Sequence, residues 1–210
     1  SGFERRAFGI NGRGHGMGHG DVNGDGRGDV MTNSGWYECP LDPITQKWIW
    51  HGNYNAPHTS IPYSAYDFNE DGLPDILYGN AHEFGLRWLE QIKDSAGRQQ
   101  WIYQSIDETY SQVHCPFLVD LDGDGTQDIV AGKRYRGHNG ADQGAMEPLC
   151  IFWYKVEKGP DPKFTKYIIS YDENIGVGMN TQAVDVDFDG DLDLVAPGKT
   201  GLYLIENLSR

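Results

Sequence analysis

The sequence predicts an all-β fold, a β-propeller of four-stranded antiparallel blades with four blades in the chain. Three observations carry this expectation. A nine-residue acidic pattern occurs four times, a short apolar run rich in β-branched residues follows each copy, and the spacing between copies matches the length of one blade. Helical patterning is nearly absent, and 28 Gly with 12% aromatic residues in 210 suit many short strands joined by tight turns.

The pattern is D-x-[DN]-x-D-G-x-x-D, at Asp21–Asp29, Asp67–Asp75, Asp120–Asp128 and Asp185–Asp193. Oxygen side chains at its first, third and fifth positions, with a Gly at the sixth to turn the chain sharply, suit a hard cation that takes six to eight oxygens, and calcium is the natural occupant. The predicted ligand sets are Asp21, Asn23, Asp25, Arg27 and Asp29; Asp67, Asn69, Asp71, Leu73 and Asp75; Asp120, Asp122, Asp124, Thr126 and Asp128; and Asp185, Asp187, Asp189, Asp191 and Asp193. An EF-hand opens in the same way but needs a bidentate Glu at position 12 and a helix after it. Position 12 here is Thr32, Tyr78, Ala131 or Ala196, and the following residues read as buried strands. Each loop therefore joins strand to strand, and the Asp at position 9 supplies the closing carboxylate.

The copies lie 46, 53 and 65 residues apart, near the period of a four-stranded blade. Strand A enters the metal loop (117–119 and 181–184 in the last two repeats) and strand B leaves it. Strand C is expected at 36–38, 86–92, 149–156 and 202–208, and strand D at 48–50, 101–106 and 164–170. The fourth repeat ends at its C strand, whereas 3–8 aligns with the D strands and precedes the first A. The N-terminal strand is therefore expected to complete the last blade and close the ring, which removes exposed sheet edges. Four blades of a larger ring, including one shared between two chains, give the same boundary.

The formal charge is −14, and four calcium ions add eight positive charges, leaving −6. Nucleic acid and anionic membrane are accordingly not expected as partners, and no run approaches 18 apolar residues. Cys39, Cys115 and Cys150 lack metal-ligand spacing and read as buried thiols. Modular calcium loops of this kind load where free calcium is near millimolar, so a secreted or periplasmic location is expected.

The acidic loops, each followed by an apolar strand, resemble FG-GAP/VCBS-type repeats, and the resemblance spans nearly the whole chain; it implies a calcium-stapled propeller. More narrowly, GHGMGHGDVNGDGRGDVMTNSGWYECP (14–40), HEFGLRWLEQ (82–91) and AGKRYRGHNGADQGAMEPLCIFWY (131–154) resemble the propeller part of aldos-2-ulose dehydratase and its bacterial relatives. That resemblance implies action on keto-sugars, although the enzyme has a larger propeller and cupin domains that this chain lacks.

In a blade, A–B and C–D connections lie on one face and D–A and B–C connections on the other. The metal loops are A–B connections, and the residues of chemical interest fall in the opposite set. His15, His58 and His114 lie in D–A connections; Asn80, His82, Glu83, Lys133, Arg134, Tyr135 and His138 lie in B–C connections. Five of the seven His thus share one face, while His19 and His51 lie elsewhere and read as structural. His15 and His114 each stand six residues before the first motif Asp, in blades one and three. Facing His residues suit general acid–base work near neutrality, or an additional divalent ion such as Zn²⁺. The candidate catalytic residues are His15, His114, His82, His138 and Tyr135. The candidate substrate-binding residues are Lys133, Arg134, His58, Asn80, Glu83, Trp36 and Tyr63, the aromatic rings offering faces for sugar stacking. The connection from Gly132 to Pro148 is the one long loop and opens with Lys133-Arg134-Tyr135-Arg136, a basic cluster suited to a carboxylate or an enolate oxygen.

Two functions fit this pattern. One is a carbohydrate-active lyase or dehydratase that removes a proton α to a carbonyl group and expels a β-substituent. The other is a non-catalytic calcium-stabilised module that binds glycan or protein on the same face.

Overall fold

The computed structural model describes residues 2–12, 14–57, 59 and 62–208. Among the described residues the chain is all-β apart from one 3₁₀ turn at Gly137–Gly140. Fifteen strands among the described residues form four antiparallel sheets in sequence order. The first sheet holds β1 (Met17–Gly20), β2 (Asp29–Thr32), β3 (Gly35–Glu38) and β4 (Ile49–His51). The second holds β5 (Ser64–Tyr66), β6 (Asp75–Gly79), β7 (Phe84–Lys93) and β8 (Gln99–Ser111). The third holds β9 (Val113–Val119), β10 (Asp128–Lys133), β11 (Cys150–Glu157) and β12 (Lys163–Tyr171). The fourth holds β13 (Gln182–Val184), β14 (Asp193–Gly198) and β15 (Gly201–Ile205).

Each sheet is a meander in which every strand pairs with the next. The first two strands of every sheet are joined by an acidic loop, as expected for a propeller-like repeat. Register explains the burial pattern. Side chains alternate between the faces of a strand, and both faces of a middle blade are covered, so β6 and β10 are buried along their whole lengths. Three apolar cores lie between successive sheets. Val22, Met31 and Trp36 meet Ile76, Tyr78 and Leu89; Leu77, Leu86 and Trp88 meet Ile129, Phe152 and Tyr154; Val130 and Ile151 meet Leu194 and Ala196.

Inner strands of neighbouring sheets approach closely. Gly18 bridges to Tyr63, and a Cβ on Gly18 would stand 2.1 Å from the Tyr63 carbonyl oxygen. Tyr63 N also donates to Met17 O at 3.3 Å. Glycine is required there by the backbone of the next blade.

One expectation is corrected. Residues 3–8 form no strand and do not pair with the fourth sheet, which has three strands among the described residues. The segment lies on the first sheet instead. Phe8 packs on Tyr37 and Trp48, with ring centroids 5.2 and 4.8 Å away, and Asn11 N donates to the Tyr37 hydroxyl at 2.6 Å. These local aromatic contacts outcompete a distant strand pairing, and Leu202 and Leu204 of β15 remain 73% and 58% exposed. Other differences are of length: β8 runs to 13 residues and β9 begins at Val113.

Candidate functional site

The four acidic loops share one construction. The Gly at position 6 takes a left-handed φ in every copy, 82° at Gly72 and 89° at Gly125 for example, so the loop turns where other residues are strained. The first Asp collects backbone N–H groups inside the turn: Asp21 Oδ1 accepts from Gly24 and Asp25 at 2.8 and 3.0 Å, and Asp120 Oδ2 accepts from Gly125 at 2.9 Å. The ninth Asp ties the loop to the third strand of its sheet. Asp75 accepts from Phe68 N at 3.0 Å and Gln91 N at 2.9 Å; Asp193 accepts from Val186 N and Asn207 N at 3.0 and 2.9 Å. The corresponding bonds of Asp29 go to Val22 N and Cys39 N, and those of Asp128 to Val156 N and the Trp153 indole. A carboxylate oxygen has two lone pairs, so these bonds leave one free on each oxygen.

The donor sets suit a hard cation. Asp67 Oδ1, Asp185 Oδ1 and Asp191 Oδ1 are buried with no hydrogen-bond partner among the described residues, and such an oxygen is costly without a cation or donor. Carboxylate oxygens of Asp120, Asp122 and Asp124, and of Asp185, Asp187 and Asp193, lie within 4.8 Å of one another. The loops differ in their own counter-charges. Arg27 pairs with Asp25, and Lys155 with Asp122 and with Asp124 at 2.9 Å. No Lys or Arg pairs with the five Asp of the fourth loop among the described residues. Burial, with repulsion from Asp189, Asp193 and Asp187, pushes the Asp191 carboxyl up.

Several residues singled out in the sequence converge on another surface. His15, His82, His114 and Arg134 line one cavity of about 420 Å³ with Thr59, Ala81 and Met179. His15 precedes β1, His82 lies in the β6–β7 turn, His114 is the second residue of β9, and Arg134 follows β10. Three successive blades therefore supply the polar wall, and Met179, before β13, adds the fourth sheet to the lining. Both ring nitrogens of His114 are buried, and the backbone of Gly178 stands beside the ring as a hydrogen-bond partner. Burial, reinforced by Arg134 and His82 and only partly opposed by the Gly178 backbone, pulls its pKa down to about 4, so the ring is a neutral base at pH 7.

Behind this wall stands a residue whose place only the fold reveals; in the sequence it reads as a counter-charge to the basic cluster of its loop. Asp142, in the long loop, accepts from Arg134 Nη2 at 2.6 Å, and its two oxygens meet His82 Nδ1 at 3.0 Å and His138 Nδ1 at 2.8 Å. The imidazoles of His82 and His138 stack at 4.7 Å and 6°. His82 Nδ1 is also 3.0 Å from Arg134 Nη2, so it accepts from the guanidinium when bare and donates to Asp142 when protonated. Burial alone would raise the Asp142 carboxyl, but bonds from His138, His82 and Arg134 hold it at about 2. His82, His138 and Asp142 offer ligand atoms within 4.8 Å of one another, and the Arg134 guanidinium already supplies a positive charge to that cluster. Gln112 is a second residue that only the fold identifies: its side-chain oxygen accepts from Gly137 N at 2.9 Å and its amide donates to Gln143 O at 3.3 Å, fastening the long loop.

Other expected site residues are placed elsewhere. Lys133 is fully buried, and its ammonium is spent on Ser111 Oγ at 2.5 Å, Gly144 O at 2.7 Å and Ser111 O at 3.4 Å. It anchors the loop from below and has no N–H left for a substrate. Tyr135 faces a separate groove of about 270 Å³ with Arg136, Glu147 and Asp172. Tyr63 is buried between blades and bonds Thr59 through its hydroxyl. Asn80 is buried and closes the β6–β7 turn through Phe84 O at 2.8 Å. Glu83 is exposed outside the cavity lining, and His138 sits one layer behind it. Trp36 is only 2% exposed and borders a different groove. His58 lies outside the described residues. All three thiols, Cys39, Cys115 and Cys150, are free and buried, as expected. No helix among the described residues is long and apolar enough to cross a membrane.

No curated protein sequence matches the chain. Residues 67–131, from the second acidic loop through the second sheet and into β10, match the family model described as an FG-GAP-like repeat. The chain thus carries an FG-GAP-like repeat within an all-β, propeller-like fold of four antiparallel sheets.

Proposed function

We propose that this protein is a calcium-stabilised carbohydrate lyase that works outside the cytosol, with the cavity of His15, His82, His114 and Arg134 as its active site and a carboxylate-bearing sugar as its substrate. The observation that carries the reading is His114, an imidazole buried beside a guanidinium and held neutral, with the Gly178 backbone as its hydrogen-bond partner and a ring nitrogen left over for a proton. The cavity wall contributes one fixed cation and three imidazoles, while the nearest carboxylate, Asp142, is engaged behind them. Such a lining favours an anion, to which Arg134 can donate N–H groups that Asp142 and His82 do not hold.

In this reading Arg134 binds the sugar carboxylate and stabilises the negative charge that develops on it when the neighbouring carbon is deprotonated. His114 takes that proton. The electron pair left on carbon forms the new carbon–carbon double bond and expels the β-oxygen, which takes a proton from His15 at the open side of the cavity. Binding an anion near His114 also raises its pKa towards neutrality, where a general base is most effective.

Calcium has a structural part here. Asp21, Asn23 and Asp25, with their counterparts in the other three loops, would hold it through oxygen, and a bound ion would offset the repulsion among neighbouring carboxylates. The loops lie at the opposite ends of the strands from the cavity residues, so calcium enters no chemical step. The test is ultraviolet absorbance on uronate-containing polysaccharides. Appearance of a conjugated product that His114→Gln abolishes supports the reading. Binding of uronate to Arg134 without any product, in wild-type protein loaded with calcium, reduces it to a binding module.

A further inference from the structure

We propose a second ligand site, a groove of about 410 Å³ between the first and second blades, built to take a saccharide independently of the His114 cavity. Its floor is an aromatic plate. His51 stacks on Trp36 with ring centroids 4.3 Å apart and an interplanar angle of 14°, and Glu38 Oε2 holds the imidazole from the side at 2.8 Å. Trp36 is buried beneath, whereas the His51 side chain is 32% exposed and borders the groove. A flat ring backed by a second ring and pinned by a carboxylate has little freedom to lose when a ligand packs on it.

The wall of the groove is a fixed chain of amides. Gln91 donates to the backbone of both acidic loops, Val22 O at 2.9 Å and Pro74 O at 2.5 Å. Its own oxygen accepts from Gln99 at 2.7 Å, and the Gln99 oxygen takes Asn53 at 2.7 Å and the Trp36 indole at 3.2 Å. The chain crosses from one blade to the next and is set by the same loops that the proposed calcium ions would order. Gln99 is thereby committed, which leaves the Asn53 carbonyl and the second oxygen of Glu38 as acceptors at the groove surface.

These features select a ligand class. A sugar presents a C–H face to an aromatic plate and hydroxyl groups that donate to fixed acceptors. Charge favours neither sign, because Lys93 offsets Glu38 in the lining and Arg98 is paired with Asp94 at 2.8 Å, and an apolar peptide would leave the amide wall and Glu38 without partners. His51 thereby acquires a role that neither the sequence nor the His114 cavity gives it, and Trp36 supports the exposed ring from beneath.

The test is a titration of the calcium-loaded protein with cellohexaose and, separately, with hexagalacturonate, following the Trp36 indole N–H by NMR. Saturable movement of that signal at up to about 10 mM cellohexaose is expected. His51→Ala should weaken binding at least about tenfold, a difference near 1.4 kcal/mol, and His114→Gln should leave it unchanged. Asn53→Ala serves as a second variant, outside the stacked rings themselves, should His51→Ala perturb the blade. An unmoved Trp36 signal with both sugars, or movement that survives His51→Ala and Asn53→Ala alike, overturns the proposal. Movement at Trp36 only with hexagalacturonate overturns the preference for an uncharged sugar. Because the readout is at Trp36, loss of lyase activity leaves this result untouched.

Discussion

Asp142 Oδ2 accepts from Arg134 Nη2 at 2.6 Å, so a residue of the long loop sets the direction of the guanidinium in the cavity wall. The same oxygen is 3.0 Å from His82 Nδ1, and the other holds His138. A single carboxylate therefore couples the loop to two blades.

Asp142→Asn removes the charge that orients Arg134 while keeping the side chain's shape. Binding of galacturonate should weaken about tenfold or more, as expected when a charge-assisted bond is replaced by a neutral one. The measurement is a calorimetric titration of both proteins at pH 7. An unchanged affinity would mean that Arg134 is positioned without Asp142.

His114 gives a stability signature that needs no substrate. Its pKa is lowered from 6.5 to about 4 in the fold, so the unfolded chain binds more protons than the native protein between those values. Stability is full above pH 6.5, falls as pH drops below it, and the loss is complete below about pH 4. The contribution is about 3 kcal/mol at most. Denaturant unfolding of wild type and His114→Gln across pH 4–7 should show a shallower fall for the variant.

Removal of calcium should destabilise the protein, most strongly through the fourth loop, where five Asp have no Lys or Arg partner among the described residues. A site filled at a thousandfold excess over its Kd adds about 4 kcal/mol, roughly 10 °C in Tm for a domain of this size. Chelator should lower Tm by at least that amount. Asp185→Asn should remove one ion from the bound stoichiometry measured by mass spectrometry, and an identical Tm with and without chelator would rule out the calcium assignment.

Lys133→Met tests the correction made to that residue. The ammonium satisfies Ser111 O, Ser111 Oγ and Gly144 O. Methionine fills the space but leaves those acceptors unpaired, at a cost of about 2–3 kcal/mol. Urea unfolding should register this loss while galacturonate affinity changes less than in Asp142→Asn. The reverse ranking would restore Lys133 to the binding surface.

Much of the fold was legible in the sequence because its determinants are local. The acidic repeat, the Gly at position 6 and the apolar run after it fix a loop between two strands whatever the surroundings. Counting from the loops then placed His15, His82, His114 and Arg134 on one surface, since strand direction in a meander follows from connectivity. Tyr135, Asn80 and Lys133 share the same connections and the same kind of sequence signal, but whether a side chain points into the cavity, the next blade or its own loop depends on packing that no spacing encodes. Gln112 had no signal, its partners lying 25 and 31 positions away, and Asp142 read only as a counter-charge to the basic cluster of its own loop because His82 lies 60 positions away.

What the sequence determined by itself was the all-β repeat, the four acidic loops and the surface on which the imidazoles gather; each is a property of residue type and interval along the chain. The tertiary structure decided which imidazole is buried and held neutral, which lysine is spent inside, and that residues 3–8 lie on the first sheet and not beside the fourth. Those outcomes turn on competition between contacts distant in sequence, Phe8 with Tyr37 and Trp48 against an added strand, or Asp142 with Arg134 against solvent, and only the folded chain brings the competitors together.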